Sequence, residues 1–223
     1  MPYSLKKALT KCIITLHNGP MTDIQQKPHT PHHLDMVEPS LWFKRFRGLI
    51  KQNGTVLDVA AGGGRHVRYF GDNGFQVTAI DKNIVPLEPF VESHSAEIIE
   101  ADMETGKPWP LGNRTFDAVI VKNYLYRPHF SDLLDALAPG GVFLYETFAL
   151  GNEVYNRPQN PDHLLKSGEL LSSVQNKLQV IAYQHGIIDS GECPGVKQMI
   201  CAVNNLKTIS RDDGEPEPSS INL

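Results

Sequence analysis

The chain has 223 residues, and 21 Lys+Arg against 25 Asp+Glu leave a formal net charge of −4. That length suits one α/β domain with short additions, and 40% hydrophobic residues suffice for a buried core. No apolar stretch nears the roughly 20 residues of a membrane-spanning helix, mild acidity gives no general attraction to nucleic acid or anionic lipid, and Cys12, Cys193 and Cys201 can neither all pair nor form a metal site. A reducing, cytoplasmic setting with no metal and no membrane is expected.

Near the start, Leu5, Ala8, Leu9, Cys12, Ile13 and Leu16 recur at helical spacing, with Lys6, Lys7 and Lys11 on the other side. The stretch lacks the arginine and the cleavage site of a targeting segment, so it reads as a short surface helix or upstream extension. QQKPHTPHH, with His29, His32 and His33, reads as a linker. Residues 1–38 therefore stand apart as extension and linker, ahead of a domain over 39–203.

Trp42, Phe43, Phe46, Leu49 and Ile50 then follow a 3.6-residue period, with Ser40 near the helix start and Lys44, Arg45, Arg47 and Lys51 on the outer side. Thr55–Ala60 reads as a buried strand. A glycine cluster follows, and a helix through Val67, Tyr69 and Phe70 stops at Gly71 and Gly74. Further strands are expected over Phe75–Ile80, ending on Asp81, over Ala96–Ala101 and over Phe116–Val121. Helical stretches intervene at Pro86–His94 and around Leu133, Leu134 and Leu137. Pro139-Gly140-Gly141 predicts a turn into a fifth strand, Val142–Phe148. Residues 149–168 are polar, a long connection of the kind that forms functional loops or lids. Glu169–Val174 reads as a helix, Leu178–Tyr183 and Gln198–Val203 as two strands joined by a turn, and 204–223 as a disordered tail. The expected fold is α/β and Rossmann-like: a doubly wound, mostly parallel seven-stranded sheet closed by an antiparallel C-terminal hairpin.

Ligands of such sheets sit at the carboxyl ends of the strands, where strand order reverses. The first strand ends in Asp58-Val59-Ala60-Ala61-Gly62-Gly63-Gly64, directly before a helix. Glycines there let a ligand lie against the main chain. Asp58 precedes that loop, Asp81 ends the second strand and Asp102 follows the third. A nicotinamide dinucleotide would use an acid at Asp81, but its pyrophosphate disfavours one at the turn, and Val67 stands where G-x-G-x-x-G needs its third glycine. An acidic rim suits instead a ligand carrying an α-amino group and a sulfonium.

The runs VLDVAAGGGRH, VTAID, ADMETGKPWP and FDAVIVKNYL resemble, in order, the motifs of class I S-adenosylmethionine-dependent methyltransferases, over roughly residues 40–203. In size and cofactor loop the chain is similar to bacterial stand-alone methyltransferases of the tellurite-resistance type. The resemblance implies S-adenosyl-L-methionine as cofactor. It gives Asp58 and the backbone of Ala60, Ala61, Gly62, Gly63 and Gly64 to the methionine moiety, and Asp81 to the ribose hydroxyls. Asp102 would accept from the adenine amino group, Met103 would pack on the ring, and Lys122 or Asn123 would lie under the methionine end. Ala60 is a departure, since the family usually has glycine there.

Methyl transfer from a sulfonium is an in-line displacement, so the protein mainly aligns the partners and excludes water. On the acceptor side, Tyr124, Tyr126 and Arg127 follow strand four, Glu146 ends strand five, and the next loop adds Asn152, Tyr155, Arg157 and His163. Arg157 could clamp a carboxylate or phosphate, and Glu146 or His163 could serve as base. Equally, Tyr124 and Tyr126 could only pack and Arg157 pair with an acid. KNYL stands where amino-group methyltransferases of DNA carry Asn/Asp-Pro-Pro-aromatic, and Cys193-Pro194 reverses the Pro-Cys of cytosine-carbon enzymes. The expectation is an enzyme acting on a small-molecule acceptor. The alternatives are an RNA methyltransferase docking through Ser40–Lys51, or an inactive cofactor-binding partner subunit.

Overall fold

The computed structural model describes residues 37–188, 195–206 and 211–219. The basic start with Cys12, the His29–His33 stretch and Cys193 lie outside these residues. Seven strands, β1 (Thr55–Val59), β2 (Gln76–Asp81), β3 (Glu97–Glu100), β4 (Phe116–Lys122), β5 (Leu137–Phe148), β6 (Gln179–Ile188) and β7 (Gly195–Val203), form one sheet in the order β3-β2-β1-β4-β5-β7-β6. Strands β1 to β5 pair in parallel, and β7 runs antiparallel to both β5 and β6. Strand order reverses between β1 and β4, which opens a crevice at their carboxyl ends.

Side chains alternate across each strand, so the sheet buries two faces. On one face Val56, Ala118, Ile120 and Leu144 meet α1 (Leu41–Phe46) and α2 (Arg65–Asp72) through Phe43, Phe46, Val67 and Phe70. On the other, Leu57, Val119, Phe143 and Tyr145 meet α4 (Phe130–Asp135) and α5 (Glu169–Val174) through Leu133, Leu134, Leu170 and Val174. Between β2 and β3 runs α3 (Pro89–His94). Four of these helices have six residues, far below the roughly 12–15 that an isolated helix needs. Packing holds them: each buried Phe or Leu contributes about 1.5–3 kcal/mol.

The structure departs from the expected elements at instructive places. The first helix is α-helical only to Phe46 and continues as a 3-10 turn, Arg47–Leu49. The helix expected over Pro86–His94 begins at Pro89. Pro139-Gly140-Gly141 lies inside β5 rather than before it, at a register shift between Phe116 and Ala118. There Gly140 has φ +77, and a Cβ on Gly141 would stand 2.8 Å from the carbonyl of Ala138. Leu137, expected on a helix, pairs with Phe116 in β5. Strands β6 and β7 run longer than expected. The sheet also reaches past Val203: the Asn204 amide donates to the carbonyls of Leu137 and Ala138 at 2.9 and 3.2 Å.

Candidate active site

The turn after β1 is a run of left-handed residues, with φ +57 at Ala60, +57 at Gly62 and +76 at Gly64. Ala60 thus adopts the backbone shape of the glycine it replaces, at a cost of about 1–2 kcal/mol for its methyl group. A Cβ on Gly62 would meet nothing within 4 Å, whereas one on Gly64 would fall 2.3 Å from Phe90 and 2.9 Å from Leu87. One glycine therefore leaves space for a ligand and the other admits the packing of the segment before β3. The Gly62 N–H donates to Asp81 Oδ2 at 2.8 Å, tying the turn to the end of β2.

Beneath this turn Asp58 is 1% exposed, and its Oδ2 has no hydrogen-bond partner. Burial pushes its carboxyl up to about 8, with the Arg65 guanidinium opposing and Asp81 adding to the rise. At neutral pH it is mostly a neutral acid, ready to ionise when a cation arrives.

Beside the turn opens a cleft of about 110 Å³, lined among others by Ala60, Asp81, Ala101, Asp102, Met103 and Tyr124. Asp81 Oδ1 accepts from the Asn83 N–H at 2.9 Å and Asp102 Oδ1 from the Glu104 N–H at 3.0 Å, so local turns fix both carboxylates. Met103 is buried at the cleft wall. Tyr124 was expected on the acceptor side but lines this same cleft. Its buried hydroxyl has no partner, and burial, with Glu104, Asp102 and Asp81 nearby, raises it far above the usual phenol range.

A second polar group sits deeper on the same sheet edge. Lys122 and Glu146 are register neighbours on β4 and β5. Glu146 Oε1 accepts from Lys122 Nζ and, at 3.1 Å, from Lys197 Nζ of β7, and its Oε2 accepts from the Ser40 hydroxyl at 2.6 Å. Burial alone would raise Glu146, but the two ammoniums and the hydrogen bonds from Lys122 and Ser40 bring it down to about 2. Burial pushes Lys122 down to about 8, with Glu146 opposing and Lys197 and Arg65 adding to the drop. His66 accepts from the Ser40 N–H at 3.2 Å, and burial, with Arg65 and Lys122, keeps it neutral against the pull of Glu146.

This corrects the expectation for Glu146: a carboxylate held by two ammoniums takes no proton near neutral pH. Asn123, at φ +56, turns the chain out of β4 and accepts from Lys197 Nζ at 3.3 Å. Arg157 and His163 are both exposed and line neither the cleft nor this cluster. The loop they occupy is pinned by Arg127, whose guanidinium bonds both Glu169 oxygens at 2.6 and 3.0 Å and the carbonyls of Asp162 and Leu164 at 2.7 and 2.9 Å. Sequence reasoning missed Lys197 and the Ser40 contact. The one available signal was a lone lysine in the apolar strand GVKQMICAV.

Residues 57–145 match the family described as a methyltransferase domain. Over this segment the chain is similar to methyltransferase domains. Solved structures share its fold. The structure reported for conversion of a disulfide bond into a thioacetal group during echinomycin biosynthesis is 16% identical, with TM-score 0.58 over 77% of this chain and 84% of that one. TehB from Haemophilus influenzae is 17% identical, with TM-score 0.58 over 71% of this chain and 60% of that one. The 1,6-didemethyltoxoflavin-N1-methyltransferase from Burkholderia thailandensis, solved with bound 1,6-didemethyltoxoflavin and S-adenosylhomocysteine, is 16% identical, with TM-score 0.53 over 73% of this chain and 75% of that one. No curated sequence matches the chain. Among the described residues, no helix is long and apolar enough to cross a membrane, and no group of three or more His, Cys, Asp or Glu is placed to hold a metal ion.

Proposed function

We propose that the chain methylates a small-molecule acceptor with S-adenosylmethionine as donor. One observation carries this reading: a buried acid, Asp58, with an unpartnered oxygen under a glycine turn in which a Cβ on Gly62 would meet nothing within 4 Å. An orphaned carboxyl in that place suits the α-ammonium of an amino-acid moiety. Asp81 is the acceptor for the ribose hydroxyls, Asp102 for the adenine amino group, and Met103 packs on the ring. Of Lys122 and Asn123, Asn123 lies under the methionine end. When bound, the cofactor supplies a methyl group already activated on a sulfonium, so the chain's task is alignment and exclusion of water. Glu146, held as an anion by Lys122 and Lys197, balances those ammoniums rather than taking the acceptor's proton.

The small-molecule reading is favoured over RNA by the state of the basic helix face. Arg45 lies 5.2 Å from the Phe46 ring centre and Arg47 5.7 Å from that of Tyr69, so both are engaged on the protein's own aromatic surface. Cys201 is buried and unpaired, which suits a reducing, cytoplasmic setting. Titration calorimetry with S-adenosylmethionine, S-adenosylhomocysteine and NAD tests the cofactor: the first two bind and NAD does not. Binding of NAD in their place overturns the reading. Radiolabelled methyl transfer should then mark metabolite pools and not total RNA.

A further inference from the structure

Alternation along the strands puts Asp58, Lys122, Glu146 and Lys197 on one face of the sheet, the face packed by α1 and α2, because Val56, Ile120, Leu144 and Met199 share that face. Asp58 pairs in register with Ile120, so Lys122 lies two residues further toward the carboxyl edge, beyond the proposed methionine end. Among the described residues, the charges there do not balance. Two ammoniums share one carboxylate, with Lys122, Lys197 and Glu146 side chains only 9%, 8% and 4% exposed. Arg65, from the first turn of α2, adds positive potential at Lys122, while Ser40, Asn123 and neutral His66 add no negative charge.

Both Glu146 oxygens are engaged, one by the two ammoniums and the other by Ser40. Two ammoniums carry six N–H donors, and the described hydrogen bonds engage three of them. Lys197 otherwise leans on the Asn123 amide oxygen at 3.3 Å and the Phe148 ring at 4.8 Å, weak partners for a cation. A buried surplus charge is strongly unfavourable unless an ion of opposite sign joins it.

We propose that Lys122 and Lys197 form an oxyanion subsite that holds a carboxylate or phosphate group of the methyl acceptor. This rests on the methyltransferase reading above and assigns the acceptor a negative charge. The cofactor's own carboxylate is the other source of the same chemistry. It shares a carbon with the ammonium placed at Asp58 on β1, whereas Lys197 is carried by β7, three strands away in the sheet. Anion binding to the chain already loaded with S-adenosylhomocysteine separates the two sources.

The test uses the full chain loaded with S-adenosylhomocysteine and titrated with inorganic phosphate or acetate at constant ionic strength, read by thermal shift. Wild type shows saturable stabilisation, Lys197→Met weakens it at least tenfold, and Lys197→Arg keeps it within about threefold. Lys197→Met leaves Lys122 and Glu146 as a one-to-one pair, so the variant folds. Its affinity for S-adenosylhomocysteine stays within about twofold of wild type. No stabilisation of wild type by either anion overturns the proposal. So does a tenfold loss of S-adenosylhomocysteine affinity in Lys197→Met with no loss for the decarboxylated analogue, which gives the lysines to the cofactor. Failure of wild type to bind S-adenosylhomocysteine at all sinks the functional reading itself, a result separate from either of these.

Discussion

Replacing Asp58 with Asn tests the central feature of the site, because it changes charge while keeping shape. The folded carboxyl titrates at about 8, while an unfolded aspartate titrates near 3.9. Between those values the folded chain holds a proton that the unfolded chain has lost. The acid's contribution to stability is therefore fully present below about pH 4 and is lost as pH rises through 8. At about 1.4 kcal/mol per unit, roughly 4 kcal/mol has gone by pH 7. Asn does not titrate and matches the protonated acid in size, so the ligand-free variant should gain on wild type as pH rises. Urea unfolding at pH 5, 6 and 7 should show that gain growing by about 3 kcal/mol over the two units. Affinity should move the other way. An amide cannot form the charge-assisted contact to an ammonium, so S-adenosylhomocysteine should bind about 10–100-fold more weakly. In wild type, binding at pH 7 should release close to one proton, measurable as calorimetric heats that scale with buffer ionisation enthalpy. A stability difference that is constant across pH, with no proton released, would refute the reasoning.

Four further changes probe the frame around that acid. Glu146→Gln leaves two buried ammoniums without a counter-charge and should destabilise the fold by about 3–5 kcal/mol in chemical denaturation; an unchanged midpoint would contradict the ion cluster. Gly64→Ala meets both a left-handed backbone and the Phe90 ring, so thermal melts should report a loss of about 2–4 kcal/mol. Asp81→Ala removes the acceptor for the Gly62 N–H and the proposed ribose contact, and should weaken cofactor binding by about 1.5–3 kcal/mol in calorimetry. Arg127→Ala frees the loop between Asn152 and Lys166, and amide exchange there should accelerate roughly tenfold while β1 and β4 stay protected.

How far the sequence announces this arrangement depends on how local each cause is. TVLDV and FDAVIVK are short, β-branched and flanked by turn formers, so their burial on both faces is legible from pattern alone. The acids at successive strand ends are legible for the same reason: parallel strands place their carboxyl ends on one edge. Pro139-Gly140-Gly141 misleads because a bulge uses the same residues as a turn, and only the pairing of Leu137 with Phe116 separates the two. The role of Glu146 could not be read because its titration is set by Lys122 on the neighbouring strand together with Lys197, 51 positions away, which β7 delivers by inserting between β5 and β6. A carboxylate at a strand end looks like a base until its neighbours are known. Tyr124 illustrates the same limit, since only the course of the chain after Asn123 decides which side of the crevice its ring faces.

The two charge anomalies lie on one sheet face yet do not cancel. Asp58 is a buried acid with one unpartnered oxygen and Lys197 a cation sharing another lysine's anion, and a lysine–aspartate pair between them would have satisfied both. Register forbids it: Asp58 stands opposite Ile120, and Glu146, opposite Lys122, takes both ammoniums first. A fold selected for stability alone would fill these positions with apolar residues, which often stabilise a core more than a buried ion pair does. Retaining them makes physical sense if ligands complete them, the donor's ammonium at one and the acceptor's oxyanion at the other. The two sites then share a sign that a purely structural role would reverse. Asp58→Asn and Lys197→Met should each leave the ligand-free protein as stable as wild type at pH 7 or more so, while weakening the binding of a different ligand. If both variants instead unfold more readily, the polar edge belongs to the scaffold, and complementarity to a charged donor and acceptor no longer explains it.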